Sequence, residues 1–197
     1  MTAAAMRSRP ATSARRAHLL AKRFALSSDV PRRFFDANAA AIATACLAMA
    51  GRFERGGRLL VFGEGAQASD AAHVAVEFVH PVLVGKRALP AIALPGDASA
   101  VVARLRAMAA PHDIAMAIDV DGESRGALAG LAHARAGGLL TLGLVGRTGG
   151  TLRRERVADH LFVVEAADPL VIQETHETLY HVLWELVHLF FDQRSAR

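Results

Sequence analysis

Four polar residues in two well-separated segments have the types and spacing for metal-assisted or proton-transfer chemistry. His73 and Glu77 lie in Asp70-Ala71-Ala72-His73-Val74-Ala75-Val76-Glu77-Phe78, directly after the glycine-bearing turn Gly63-Glu64-Gly65-Ala66-Gln67. Residues four apart share one helix face, so an imidazole and a carboxylate point the same way. Gln173 and His181 lie near the end of the chain. Two imidazoles and a carboxylate form a sensible set for zinc or for moving a proton. Each piece also has a plain structural reading. The His73/Glu77 pair can be a surface ion pair, Gln173 an ordinary residue near a helix start, and His181 a core histidine. The order of the surrounding elements decides between these readings.

The chain has 197 residues, 52% hydrophobic and 21% charged, enough for one globular domain with a sizeable core. No continuous apolar run reaches the roughly eighteen residues a spanning helix needs. Cys46 is the only cysteine, which excludes an internal disulfide and a cysteine-based zinc site. The start, Met1-Thr2-Ala3-Ala4-Ala5-Met6, has no signal-like apolar segment. A soluble, cytoplasmic protein is expected. The net charge of +4 is unevenly spread: residues 1–33 carry eight Lys/Arg and one acid, and the remainder is mildly acidic. Arg7, Arg9, Arg15, Arg16, Lys22 and Arg23 suit nucleic acid or an acidic partner, or simply a solvated basic tail.

Residues 1–16 read as a tail and about 17–26 as a helix. Ser28-Asp29-Val30-Pro31 then reads as a cap and helix entry. An alanine-rich amphipathic helix follows to about Arg55, closed by Gly56-Gly57. The chain divides into a basic segment, 1–30, and a main domain, 31–197. From Arg58 onward short apolar strands alternate with helices. Strands are expected at 58–62, 89–94, 114–118, 139–145 and 161–164, with helices between them and a long last helix at about 169–192. Such alternation predicts an α/β fold: a five-stranded parallel sheet inside a three-layer αβα sandwich, with an N-terminal helical extension. Its ligand site is expected at the carboxyl ends of the strands.

Read in order, these segments resemble the phosphoheptose isomerase branch of the sugar isomerase (SIS) family. Gly63-x-Gly65-x-x-x-x-Asp70-x-x-His73-x-x-x-Glu77 is similar to that branch's G-N-G-G-S-x-x-D-x-x-H-x-x-x-E. The strand Leu89–Leu94 is similar to its next strand. Gly143-Leu144-Val145-Gly146-Arg147-Thr148-Gly149-Gly150 is similar to its L-T-G-x-x-G-G turn. Ile172-Gln173-Glu174-x-His176-x-x-x-x-His181 is similar to its last-helix pattern. The resemblance implies zinc held by His73, Glu77, Gln173 and His181, with Glu77 and His181 as proton-transfer groups. It also implies a homotetramer with sites shared between subunits. Along a straight helix Gln173 and His181 are about 12 Å apart, so they must reach a common site from two sides.

The phosphate-binding loops depart from that pattern. The family's S-T-S-G-N-S loop is Asp119-Val120-Asp121-Gly122-Glu123-Ser124 here, and its first-loop Asn and Gly-Ser are Glu64 and Ala66-Gln67. The stretch between Asp97 and Asp113 is also shorter, lacking a G-N-D-x-G-F segment. At about 4 Å each unit repulsion between like charges is worth about 4 kcal/mol at an effective dielectric near 20, so carboxylates in such a loop oppose a phosphate ester. The expected substrate contacts are Glu64, Gln67, Asp70, Asp97, Asp119, Asp121, Glu123 and Ser124, with Asp70 and Asp97 also able to cap helices. The expected function is a zinc-binding aldose–ketose isomerase, similar to enzymes acting on sedoheptulose 7-phosphate, with a changed substrate and proton transfer through an enediol. The alternative is a non-catalytic tetramer that binds a protein partner, as a relative does with the replication initiator DnaA. The surplus apolar side chains Trp184, Leu186, Leu189, Phe190 and Phe191 of the last helix are expected to meet another subunit.

Overall fold

A computed structural model describes residues 9–81 and 83–195. Residues 1–8, including Arg7, lie outside the described residues. The elements run α1 (Arg9–Glu54), β1 (Leu59–Phe62), α2 (Gln67–Val79), β2 (Ala91–Ala93), α3 (Ala98–Met108), β3 (Ile114–Asp119), α4 (Arg125–Ala136), β4 (Leu140–Gly146), α5 (Gly150–Glu155), β5 (His160–Val164) and α6 (Pro169–Ser195). The five strands are all parallel, in the order β2-β1-β3-β4-β5.

Alternate strand side chains feed two separate cores. Leu59 and Val61 of β1, Met116 and Ile118 of β3, and Leu142 and Leu144 of β4 face α1, α2 and α6. Leu60 and Phe62 of β1, Ala115 and Ala117 of β3, and Val145 of β4 face α3, α4 and α5. Every residue of β1, β3 and β4 is buried, as expected of parallel strands covered on both faces. The result is the three-layer αβα sandwich. The strand order reverses between β1 and β3, and in open parallel sheets the crevice outside the carboxyl ends of such a pair is where ligands bind.

The helical extension differs from the sequence reading. One helix of 46 residues runs from Arg9 to Glu54 and carries Pro31 inside it. The described part of the expected tail, 9–16, is therefore helical, and no break or cap separates residues 26 and 32. Pro31 removes one backbone donor, a local cost that tertiary contacts on both sides override. Upstream, the guanidinium of Arg23 donates to Asp168 at 2.8 Å and to Glu174 at 2.5 Å, tying the helix to α6 and its approach. Around and after the proline, Val30 and Phe34 enter the core with Ile42, Met49 and Phe53. Gly56, at φ 79°, ends the helix in the left-handed region.

One observation on α1 and one correction to the last helix follow. By length and composition, Ser13–Glu54 holds an eighteen-residue window of mean hydropathy 1.4, apolar enough to cross a membrane, although 33% of that window is buried within the chain. Asn38 and Thr44 interrupt the alanine-rich part of this helix, so no continuous apolar run of that length stands in the sequence. The last helix also has little surplus apolar surface. Trp184 and Phe191 belong to the core, Leu186 and Phe190 pack against it, and Leu189 remains exposed. The larger exposed apolar set is on α1, where Leu20 and Phe24 are 72% and 75% exposed.

At the end of the sheet opposite the carboxyl edge, Asp113 clamps β1 to β3. Its side chain is 1% exposed and accepts from the Arg58 amide at 2.8 Å, the Arg58 guanidinium at 2.7 Å and the Ala110 amide at 2.9 Å. Burial acts to raise its pKa. The Arg58 guanidinium and the two amides outweigh burial and hold the carboxyl below its usual range. A carboxyl depressed in the folded state contributes stability above its unfolded pKa of about 3.9 and loses that contribution as pH falls below it. Asp113→Asn is expected to cost about 2–4 kcal/mol in urea denaturation at neutral pH. That cost should shrink below about pH 4; a cost unchanged by acid would contradict the assignment.

Candidate metal and proton-transfer site

Helix α2 begins immediately after the β1 turn, so its first two turns lie beside the carboxyl edge of the sheet. Gly63 allows the turn: a Cβ there would lie 2.7 Å from the backbone oxygen of Gln67. Asp70, Ala71, Val74 and Phe78 form the buried side of α2, and the adjoining positions His73 and Glu77 face α6. His73 Nε2 lies 3.2 Å from Glu77 Oε1. His181 Nε2 comes from α6 to 3.9 Å from the same oxygen. The ligand atoms of all three lie within 4.8 Å of one another. Glu77 is 17% exposed, against 40% and 45% for the histidines, so the carboxylate forms the floor and the imidazoles the open rim.

Gln173 enters one level up. Its Nε2 donates to Asp70 Oδ1 at 2.9 Å, which leaves Oε1 as its free acceptor atom. Asp70 is buried, and burial raises its pKa while the Gln173 hydrogen bond works the other way. It does not cap α2, whose N-cap position is Ala66. Gly146, at the end of β4, places this level: a Cβ there would come within 2.6 Å of Ile172, so its absence lets the start of α6 seat on the strand end.

Tyr180 was not singled out in the sequence. Its hydroxyl lies 2.9 Å from His73 Nδ1. Burial, with Glu177, Asp70 and Glu77 nearby, pushes the phenol up, so it is uncharged at neutral pH. A histidine that offers Nε2 to a metal carries its proton on Nδ1 and needs an acceptor there. With a metal at Nε2, the Tyr180 oxygen is placed to be that acceptor. No spacing signal marks it, because its contact with His73 joins residues 107 positions apart. His176, in the same helix, has a different fate: burial lowers its pKa to about 4, so it is a neutral core residue.

The remaining predicted contacts fall into three places. Asp97 caps α3 through the Ala100 amide at 3.0 Å, on the sheet face away from α2 and α6. Gln67 opens α2 and is half-buried. The others meet at the β1/β3 crevice. Ser124 caps α4 through the Ala127 amide and donates from Oγ to Glu64 Oε2 at 2.6 Å. Asp119 is buried, its pKa raised by that burial, and accepts from the Ser124 amide at 2.9 Å. Asp121 accepts from the Glu123 amide. Glu123 turns toward α5, bonded to Thr151 and 3.5 Å from Arg154. A surface cavity of 610 Å³ between α1 and β5, lined by Val30, Phe34, Arg153 and Leu161 among others, contains none of the predicted residues. The chemistry-bearing side chains are at the carboxyl edge instead.

The donor set suits zinc: two imidazole nitrogens, one carboxylate and an amide oxygen, without thiolate. Separations of 3.2 and 3.9 Å between donor atoms are of the size that ligands about 2.0–2.2 Å from a common tetrahedral ion require. If Tyr180 orients His73, Tyr180→Phe should weaken zinc binding by about tenfold or more. Competition against a chromophoric chelator reads this directly, and an unchanged affinity would remove Tyr180 from the site.

Comparison with known proteins places this geometry in a family. The SIS domain model matches residues 24–146. The chain is 36% identical over 174 residues to a phosphoheptose isomerase of Solidesulfovibrio magneticus, covering 81% of this chain and 84% of the relative. It is 34% identical to one from Aquifex aeolicus, covering 88% and 97%. A solved phosphoheptose isomerase from Francisella tularensis superposes with a TM-score of 0.80 at 24% identity, over 88% of this chain and 98% of that one. Another from Neisseria gonorrhoeae gives 0.77 at 22%, over 87% and 97%. The sheet order, the helix layers and the sequence relatives agree: this chain belongs to the SIS domain family, in its phosphoheptose isomerase branch.

Proposed function

We propose that the protein is a zinc-binding aldose–ketose isomerase, similar to phosphoheptose isomerases and acting on a sugar or sugar derivative in the cytoplasm. The observation that carries this reading is the convergence of His73, Glu77 and His181 from α2 and α6 within 4.8 Å. His73 Nε2, Glu77, His181 Nε2 and Gln173 Oε1 are the atoms proposed to hold the ion, and zinc when bound would polarise the substrate carbonyl.

The chain's own groups account for the proton movements. Glu77, one of whose oxygens faces both imidazoles, takes the proton from the hydroxyl-bearing carbon beside the carbonyl. His181, engaged at Nε2, keeps its Nδ1 proton for the carbonyl oxygen. The neutral enediol that results returns a proton from Glu77 to the neighbouring carbon, while His181 recovers one from the other hydroxyl. Asp70 holds the Gln173 amide and Tyr180 holds His73, so neither ring nor amide needs to reorganise during the reaction.

Zinc content should be about one ion per chain after purification in metal-free buffers. Deuterium from solvent should enter a sugar at the carbon beside its carbonyl, tested with heptoses both phosphorylated and free. Glu77→Gln should slow that exchange at least a hundredfold. Protein without zinc, whose melting temperature does not respond to added zinc, would contradict the reading.

A homotetramer is also proposed. The apolar surface that motivates it is on α1, where Leu19, Leu20 and Phe24 are 56%, 72% and 75% exposed. Light scattering at micromolar concentration should give four chains per particle; a monomer would contradict it.

A further inference from the structure

We infer that Glu64 determines ligand class at this site: its carboxylate occupies the anion-accepting start of α4, so the sugar that binds carries no phosphate at that end. This rests on the reading of the site as sugar-binding and narrows it.

Glu64 and α4 meet because β1 and β3 are neighbours across the point where strand order reverses. The Glu64 turn follows β1, and α4 follows β3. Glu64 Oε2 accepts from Ser124 Oγ at 2.6 Å and from the Gly126 amide at 3.3 Å. The fit is close. A Cβ on Gly126 would stand 2.6 Å from Glu64 Oε1 and 2.7 Å from its carboxyl carbon, so a larger residue at 126 would push the carboxylate from this position.

The start of a helix attracts an anion through its unpaired amides and its dipole. Here the chain's own oxygens take the amides of Ser124, Gly126 and Ala127, through Asp119, Glu64 and Ser124 respectively. Among the described residues no Lys, Arg or His pairs with Glu64, so its charge is balanced by the helix start and the Ser124 hydroxyl. An incoming phosphate would have to expel one carboxylate and then sit beside a second, Asp119. A neutral sugar hydroxyl meets neither obstacle. It can donate to Glu64 Oε1, which accepts no hydrogen bond from the described residues. Glu64 differs here from the carboxylates of the β3–α4 loop. Asp121 and Glu123 are turned to other partners, and Asp119 is spent on an amide.

The test is calorimetric titration of the full chain, zinc-loaded as purified, with inorganic phosphate, sedoheptulose and sedoheptulose 7-phosphate. Wild type should favour sedoheptulose over its 7-phosphate and show no saturable phosphate binding. Glu64→Ala opens the helix start and should bind both phosphate and the phosphosugar at least tenfold more tightly than wild type. Glu64→Gln keeps the shape, removes the charge, and should gain less than Glu64→Ala but measurably. Wild type binding phosphate as tightly as either variant overturns the inference, as does a folded pair of variants with no gain. Zinc measured on the same samples separates the two readings. Retained zinc without a phosphate gain defeats the role of Glu64 alone. A phosphate gain without zinc supports Glu64 while defeating the metal site.

Discussion

One carboxylate oxygen, Glu77 Oε1, stands between two imidazoles that arrive on different helices. That arrangement requires α2 and α6 to be held at a fixed separation along the carboxyl edge of the sheet. Much of the remaining structure meets this requirement. Val74 and Phe78 of α2 share a core with Leu179, Tyr180 and Leu183 of α6. The Asp70–Gln173 hydrogen bond fixes the two helices one turn above the cluster, and Tyr180 fixes His73 from the side. Burying aliphatic and aromatic groups contributes about 1.5–3 kcal/mol each and sets the spacing. The polar contacts are worth about 1 kcal/mol each and set the orientation.

A second constraint lies at the start of α4, at the same edge of the sheet. Helix starts after strands in a parallel sheet favour anions, and most of that potential is already satisfied within this chain. The two constraints divide the labour between loops and helices. The α2/α6 pair carries groups suited to proton transfer, while the β1 and β3 loops are, in the inference proposed above, what selects the ligand. Loops can change in this way without loss of fold, because the hydrophobic sheet faces and not the loops hold the strands in register.

Much of this was legible in the sequence because it is local or periodic. Short apolar runs such as Leu59–Phe62 and Leu140–Gly146 are strands buried on both faces, and the His73/Glu77 spacing fixes a shared helix face without knowledge of the fold. What was not legible depends on contacts between distant segments. Ser28-Asp29-Val30-Pro31 has the local chemistry of a helix start, yet the Arg23 ion pairs and the burial of Phe34 carry one helix through it. Tyr180 is part of no spacing pattern and gains its role only when α6 lies against α2. Glu64 is visible as an acid in a loop, but its place on α4 needs the strand order. The apolar residues at the end of α6 read as surplus because the core they join, with Cys46, Met49 and Phe53 of α1, exists only once the two helices are packed together.

The central claim is that His73, Glu77, Gln173 and His181 form one metal site of nitrogen and oxygen donors. The most direct measurement is titration of the metal-free protein with Co(II), followed by visible absorption. The account predicts saturation at one equivalent per chain, with the intense bands of a four- or five-coordinate ion. Those bands should be lost in His181→Ala and displaced stoichiometrically by zinc. A spectrum that stays that of the hydrated ion, or one that His181→Ala leaves unchanged, would contradict it.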